Sequence, residues 1–116
     1  MSGYIYHLTT QAAWSEGKSA GEYRSESEGQ EGFIHCSNAS QILRVANKYY
    51  TGRSGMVILG IDPSKLRADL RWEPGSDKPE ELFPHIYGPI NQEAVVAMFD
   101  FSPGQDGMFS LPAGLM

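Results

Sequence analysis

Gly32-Phe33-Ile34-His35-Cys36-Ser37 runs directly into a helical pattern over residues 39–50, and this junction decides the reading of the chain. Aromatic and β-branched residues followed by a polar cap predict a short strand that ends at His35 and hands over to a helix. Asn38 with Gln41 three residues later is a capping-box pattern. Ile42, Leu43, Val45, Ala46, Tyr49 and Tyr50 follow at the i, i+3, i+4, i+7 spacing of an amphipathic helix, with Gly52 at the expected stop. The N-terminus repeats the device. Tyr4-Ile5-Tyr6-His7 reads as a strand with Tyr4, Tyr6 and Leu8 on one face and Ile5 and His7 on the other. Thr9 or Thr10 then caps a helix that is expected to stop at Gly17.

Outward from these units, residues 18–31 are the most polar stretch. They predict a surface loop, read either as a solvated connection or as a lid, with a brief strand at Glu22-Tyr23-Arg24. Met56–Ile61 is a continuous apolar run and predicts a central strand buried on both faces. A strand over Asp69–Glu73 follows, then a Pro/Gly/Asp loop. Residues 83–90 carry Pro84 and Pro89, which predicts an extended segment along a sheet edge or across a cleft rather than a central strand. Residues 94–101 are apolar enough to predict an inner strand. Residues 1–101 therefore form one domain, and residues 102–116 a Gly/Pro-rich tail that frays or docks on a partner. The order of elements indicates an α+β fold, a mostly antiparallel or split β-sheet with two packed helices.

Composition narrows the function classes. A chain of 116 residues has one core. Its net charge of −5, from 14 acids against nine bases, disfavours a grip on duplex nucleic acid. No apolar run approaches the roughly 18 residues of a membrane span. The start Met1-Ser2-Gly3-Tyr4 lacks the features of a secretory signal, and the lone Cys36 suits a reducing compartment. A cytoplasmic location is the expectation, with no membrane partner.

Three histidines carry the chemistry. His7 and His35 each end a strand just before a helix N-terminus, where backbone N–H groups and the helix dipole favour an anion. His85 lies in Phe83-Pro84-His85-Ile86-Tyr87-Gly88-Pro89-Ile90. Two such junctions side by side predict a phosphate or pyrophosphate cradle with Thr9, Thr10 and Ser37 as further donors. His7 and His35 are expected in one pocket, with His85 on its rim. Three imidazoles also admit a zinc site, although no His-x-x-x-His or Cys-x-x-Cys spacing is present. Cys36 alternates with His35 along the strand and reads as a core residue. Glu73, beside Trp72 at a strand end, is the best-placed carboxylate for general-base or electrostatic work.

The stretches Tyr4–Leu8, Glu31–Ser37, Arg71-Trp72-Glu73 and Phe83–Ile90 together resemble a small bacterial family known as a domain of unknown function, DUF952. The resemblance covers residues 3–101. It implies a fold grouped with the ADP-ribosyltransferases, whose NAD lies in a cleft of a split sheet. By position His7 corresponds to the first motif of those enzymes and His35 with Ser37 to the second. Glu73 is the glutamate nearest the third, where this sequence carries His85. The resulting expectation is a cleft lined by His7, Thr9, Ser37, His85 and Tyr87 that binds NAD or an ADP-ribose-like ligand. Glu73 and His35 would serve transferase or glycohydrolase chemistry at the nicotinamide–ribose bond. A binding module without catalysis is the alternative.

Overall fold

The computed structural model describes residues 3–25, 29, 31–75, 78–112 and 115. The strand predicted to be central is central: β4 (Met56–Ile61) is buried throughout and lies between β1 (Ile5–Thr10) and β8 (Val95–Phe101), antiparallel to both. A second antiparallel sheet has the order β3-β6-β5, from β3 (Ile34–His35), β5 (Asp69–Pro74) and β6 (Leu82–Tyr87). A two-stranded pair joins β2 (Glu22–Tyr23) to β7 (Ile90–Asn91). Helices α1 (Gln11–Ala20) and α2 (Ile42–Tyr49) complete an α+β fold whose strand pairs are antiparallel. Among the described residues no helix is long and apolar enough to cross a membrane.

The two larger sheets meet at one point. Tyr6 N–H donates to the Ser37 carbonyl at 2.7 Å, and Ser37 N–H donates to the Tyr6 carbonyl at 2.8 Å. In a continued antiparallel ladder Leu8 and His35 would form the next hydrogen-bonded pair. They do not, and β1 and β3 part there. The His35 carbonyl is taken instead by the imidazole of His7, Nδ1 at 2.7 Å. The core is accordingly divided. Ile5, Trp14, Tyr23, Ile34, Cys36, Leu59 and Ile86 pack on one side of β1, and Tyr6, Leu8, Ile42, Ala46, Ile58 and Phe101 on the other.

Several expectations change for identifiable reasons. Helix α1 does not stop at Gly17. It runs from its Thr10 cap, where Oγ1 accepts from Ala13 N–H, to Gly21 at φ 91°. Gly17 sits in mid-helix because a Cβ there would lie 3.1 Å from Tyr23 Cα and Cβ. Lys18–Ala20 thus belong to α1 rather than to a loop, while residues 26–28 and 30 of the expected loop or lid lie outside the described residues. The capping box forms, Asn38 Oδ1 accepting from Gln41 N–H and Gln41 Oε1 from Asn38 N–H, at 2.9 and 3.0 Å. Gly52 turns the chain at φ 81° as expected, but it is the second residue past the cap rather than the first, because Tyr50 is the C-cap.

The larger correction concerns residues 83–90. Strand β6 is the middle strand of its sheet despite Pro84, which is fully buried. The Pro84 carbonyl accepts from Cys36 N–H at 3.0 Å, so the missing N–H faces the same side, beyond the end of two-residue β3. The ladder loses one bond there, the return bond to the Cys36 carbonyl, and it falls at the end of the β3 pairing rather than inside it. Conversely, β8 is an edge strand, with Val96 and Met98 exposed on one face. Over its described part the tail packs on the domain itself at two points. Phe109 stacks on Phe101 with ring centroids 4.4 Å apart, and Leu115 is buried in the α2 side of the core.

Candidate functional site

His7 is buried at the parting of the sheets, and its environment fixes its proton. Nδ1 faces a carbonyl that can only accept, so Nδ1 carries the hydrogen. Nε2 lies 2.9 Å from the Tyr23 hydroxyl, which in turn lies 2.8 Å from Thr9 Oγ1. With His7 neutral, Nε2 accepts from Tyr23 and the rotatable Thr9 hydroxyl donates to the Tyr23 oxygen. Burial lowers the His7 pKa to about 4, partly opposed by the bond to His35. Burial also pushes the Tyr23 phenol up to about 12. The triad is neutral and closed on itself at neutral pH.

This triad floors a depression of about 490 Å3 bordered by the helix cap Thr10, Ala13 of α1, Arg24, Ser25, Tyr50, Arg53 and His35. Among the described residues Glu16 is the one acid on its border. A second depression of about 370 Å3 lies on the other side of His35 and Tyr50, which border both. Arg44, Val45, Lys48 and Tyr49 of α2 form one wall, Cys36 and Ser37 lie at its base, and Phe83 and Lys78 stand opposite.

A third group covers the outer face of β3-β6-β5, where the odd-numbered residues share one face. Glu73 Oε1 accepts from His85 Nδ1 at 2.7 Å and from the Tyr87 hydroxyl at 2.5 Å. Those bonds, Tyr87 first, hold the Glu73 carboxyl below its usual range. Phe33 stacks on His85 with centroids 4.1 Å apart, and Arg71 lies over the Tyr87 ring at 4.6 Å. His35 and His85 are a directly opposed cross-strand pair, their rings 5.3 Å apart, and His35 Nε2 donates to Glu31.

Residues 8–98 match the family described as a protein of unknown function (DUF952). The chain belongs to the DUF952 family. Its fold is similar to the crystal structure of protein CC0527 from Caulobacter crescentus, 30% identical, with a TM-score of 0.83 over 93% of this chain and 94% of that one. A crystal structure of a double mutant of CC0527 superposes equally well, at 29% identity. The solution structure of CC0527 is 30% identical, with a TM-score of 0.79 over 91% of this chain and 90% of that one. No curated protein matches the chain.

Within this DUF952 fold the residues singled out in the sequence separate into groups. His7 and Thr9 floor the larger depression, His35 borders both, and Ser37 borders the smaller, buried by its pairing with Tyr6. Glu73, His85 and Tyr87 border neither; they adjoin the site through the His35–His85 contact, through Phe33 and through the Glu73–Phe83 strand pair. The three imidazoles do not converge. His7 projects toward the Tyr23 side of β1, whereas His35 projects from the face opposite Ile34, and His7 meets the main chain of His35 rather than its ring. Among the described residues no three His, Cys, Asp or Glu side chains are grouped to hold a metal ion. Nor do two helix N-termini meet: α1 presents its first turn, while α2 presents its flank.

Tyr23, Arg24, Glu31, Tyr50 and Arg53 are among the site residues that sequence reasoning missed. Tyr23 lay in a polar stretch, and Tyr50 read as one more apolar position of the helix stripe. Arg53, its guanidinium 5.3 Å from the Tyr50 ring centroid, had no local pattern at all. Cys36 is buried as expected, and burial raises its thiol far above the ordinary range.

Proposed function

We propose that the larger depression binds NAD or another ADP-ribose-like ligand through its pyrophosphate. One observation carries the reading: in a chain of net charge −5, Arg24, Arg53, the Thr10 hydroxyl and the first turn of α1 converge on a single depression with one described acid on its border. Arginine forks and helix N-termini are the groups that bind phosphate oxygens best. The depression also lies where β1 and β3 part, which is where the ADP-ribosyltransferase-like resemblance puts NAD. Transferase or glycohydrolase chemistry would need a carboxylate to stabilise positive charge developing on the ribose. Glu73 is the candidate; it is held ionised by Tyr87 and His85 yet borders neither depression. That position favours a second reading, a binding module without catalysis.

Calorimetric titration separates these outcomes. ADP-ribose and NAD are expected to bind, adenosine at least tenfold more weakly, and Arg53→Gln is expected to lose most of the difference. Equal affinity for adenosine and ADP-ribose would remove the phosphate-binding reading. Incubation with NAD then tests the chemistry: nicotinamide release that disappears in Glu73→Gln supports glycosyl chemistry, and binding with no release supports the module.

A further inference from the structure

The smaller depression has a composition that core packing does not explain. Arg44, Val45, Lys48 and Tyr49 occupy i, i+1, i+4 and i+5 of α2 and so share one flank. Val45 and Tyr49 belonged to the stripe expected to face the core; Val45 is half-buried against it, but Tyr49 is 54% exposed. The flank therefore turns two cations and an aromatic ring into a groove whose other side carries Phe83 and Lys78. Among the described residues no acid borders this groove. Arg44 is pre-set by Glu81, whose Oε1 lies 2.7 Å from one guanidinium nitrogen while Oε2 accepts from Gln41 Nε2 at 2.8 Å. A guanidinium has five N–H donors, so this pairing orients the group without exhausting it. Together with Arg24 and Arg53 at the neighbouring depression, Arg44, Lys48 and Lys78 make five of the nine basic residues of the chain around His35 and Tyr50.

We propose that the groove between α2 and Phe83 is a second ligand site, specific for a nucleoside monophosphate. Cations bind the phosphate, and the rings of Tyr49 and Phe83 give the base a stacking surface. The volume of about 370 Å3 is at the small end for ligand pockets and suits one nucleotide rather than two. The acidic chain as a whole repels a polyanion, which favours a free nucleotide over a nucleic-acid strand. Because His35 and Tyr50 border both depressions, a nucleotide here lies beside the ligand of the larger one, where an acceptor of ADP-ribose would sit. That acceptor role rests on the function proposed above; binding in the groove does not.

UMP is the probe, with uridine, inorganic phosphate and a uridine oligoribonucleotide lacking terminal phosphates as controls, followed by NMR titration of the full chain. UMP is expected to shift the amide signals of Ser37, Lys48 and Tyr49 and to bind at least tenfold more tightly than uridine or the oligonucleotide. The double variant Arg44→Gln/Lys48→Gln should weaken UMP tenfold or more and leave ADP-ribose affinity within twofold; Arg53→Gln should do the reverse. Should the double variant fail to fold, Tyr49→Ala, at an exposed position, is expected to weaken UMP several-fold and leave phosphate unchanged. Uridine or the oligonucleotide binding as tightly as UMP, or UMP affinity unmoved by the α2 substitutions, overturns the proposal. A tenfold loss of UMP in Arg53→Gln also overturns it, since both ligands would then share one site. If UMP binds as expected while ADP-ribose does not bind at all, the earlier reading fails and this one stands.

Discussion

Acidification isolates the cost of burying His7. In the unfolded chain the imidazole titrates near 6.5, and in the native protein burial holds it at about 4. Between those values the unfolded state takes up a proton that the folded state refuses, so stability is complete above 6.5 and is lost as pH falls toward 4. From pH 7 to pH 5 the difference amounts to about 2 kcal/mol, against roughly 5–15 kcal/mol of total stability for a domain. The reference is His7→Asn, whose amide nitrogen can still donate to the His35 carbonyl but which has no proton to gain. Urea unfolding of both proteins at pH 7 and pH 5 is the assay. Glu73 and Glu81, whose carboxyls are held low by their partners, contribute at more acidic pH, and their effect is common to both proteins. The wild type is expected to lose about 2 kcal/mol more than His7→Asn over this interval, read as a lower midpoint at unchanged m. Parallel pH dependence in the two proteins, or an NMR titration of His7 near 6.5, would refute the assignment of a buried neutral imidazole.

Two further outcomes test the packing around the site. Gly17→Ala gains about 1 kcal/mol of helix propensity. It also forces a Cβ to 3.1 Å from Tyr23, and overpacking costs about 1–3 kcal/mol, so a net loss is expected, with a shift of the Tyr23 and His7 ring signals. A stabilised variant with unmoved ring signals would mean that Gly17 is not what seats Tyr23. Phe109→Ala removes a ring stacked on Phe101 and held by the Asn47 bonds to both main-chain groups of Phe109. A loss of about 3–5 kcal/mol is expected in chemical denaturation, and a change under 1 kcal/mol would show that the tail is not part of the core.

What the amino-acid order settled by itself was local. Met56–Ile61, with no polar residue in six, could only be a strand covered on both faces. The Asn38/Gln41 pair could state where a helix turn begins because a capping box is closed by residues three apart. Alternation along Phe33–His35 likewise put Ile34 in the core and the imidazole outside it. What the tertiary structure alone decided was every feature that depends on a distant partner. Pro84 could occupy a middle strand because its nitrogen faces the last pair of the short β3 ladder, where a single bond is forgone, a fact written in a remote part of the chain. Gly17 looked like a helix stop until the approach of Tyr23 gave it a reason to be in mid-helix. The three histidines shared similar local contexts, yet β1 and β3 part immediately after Tyr6 and Ser37, and that parting sends His7 to Tyr23 and His35 to His85. Local sequence fixes the direction of a side chain relative to its own strand; only the pairing of strands decides which other side chains it meets.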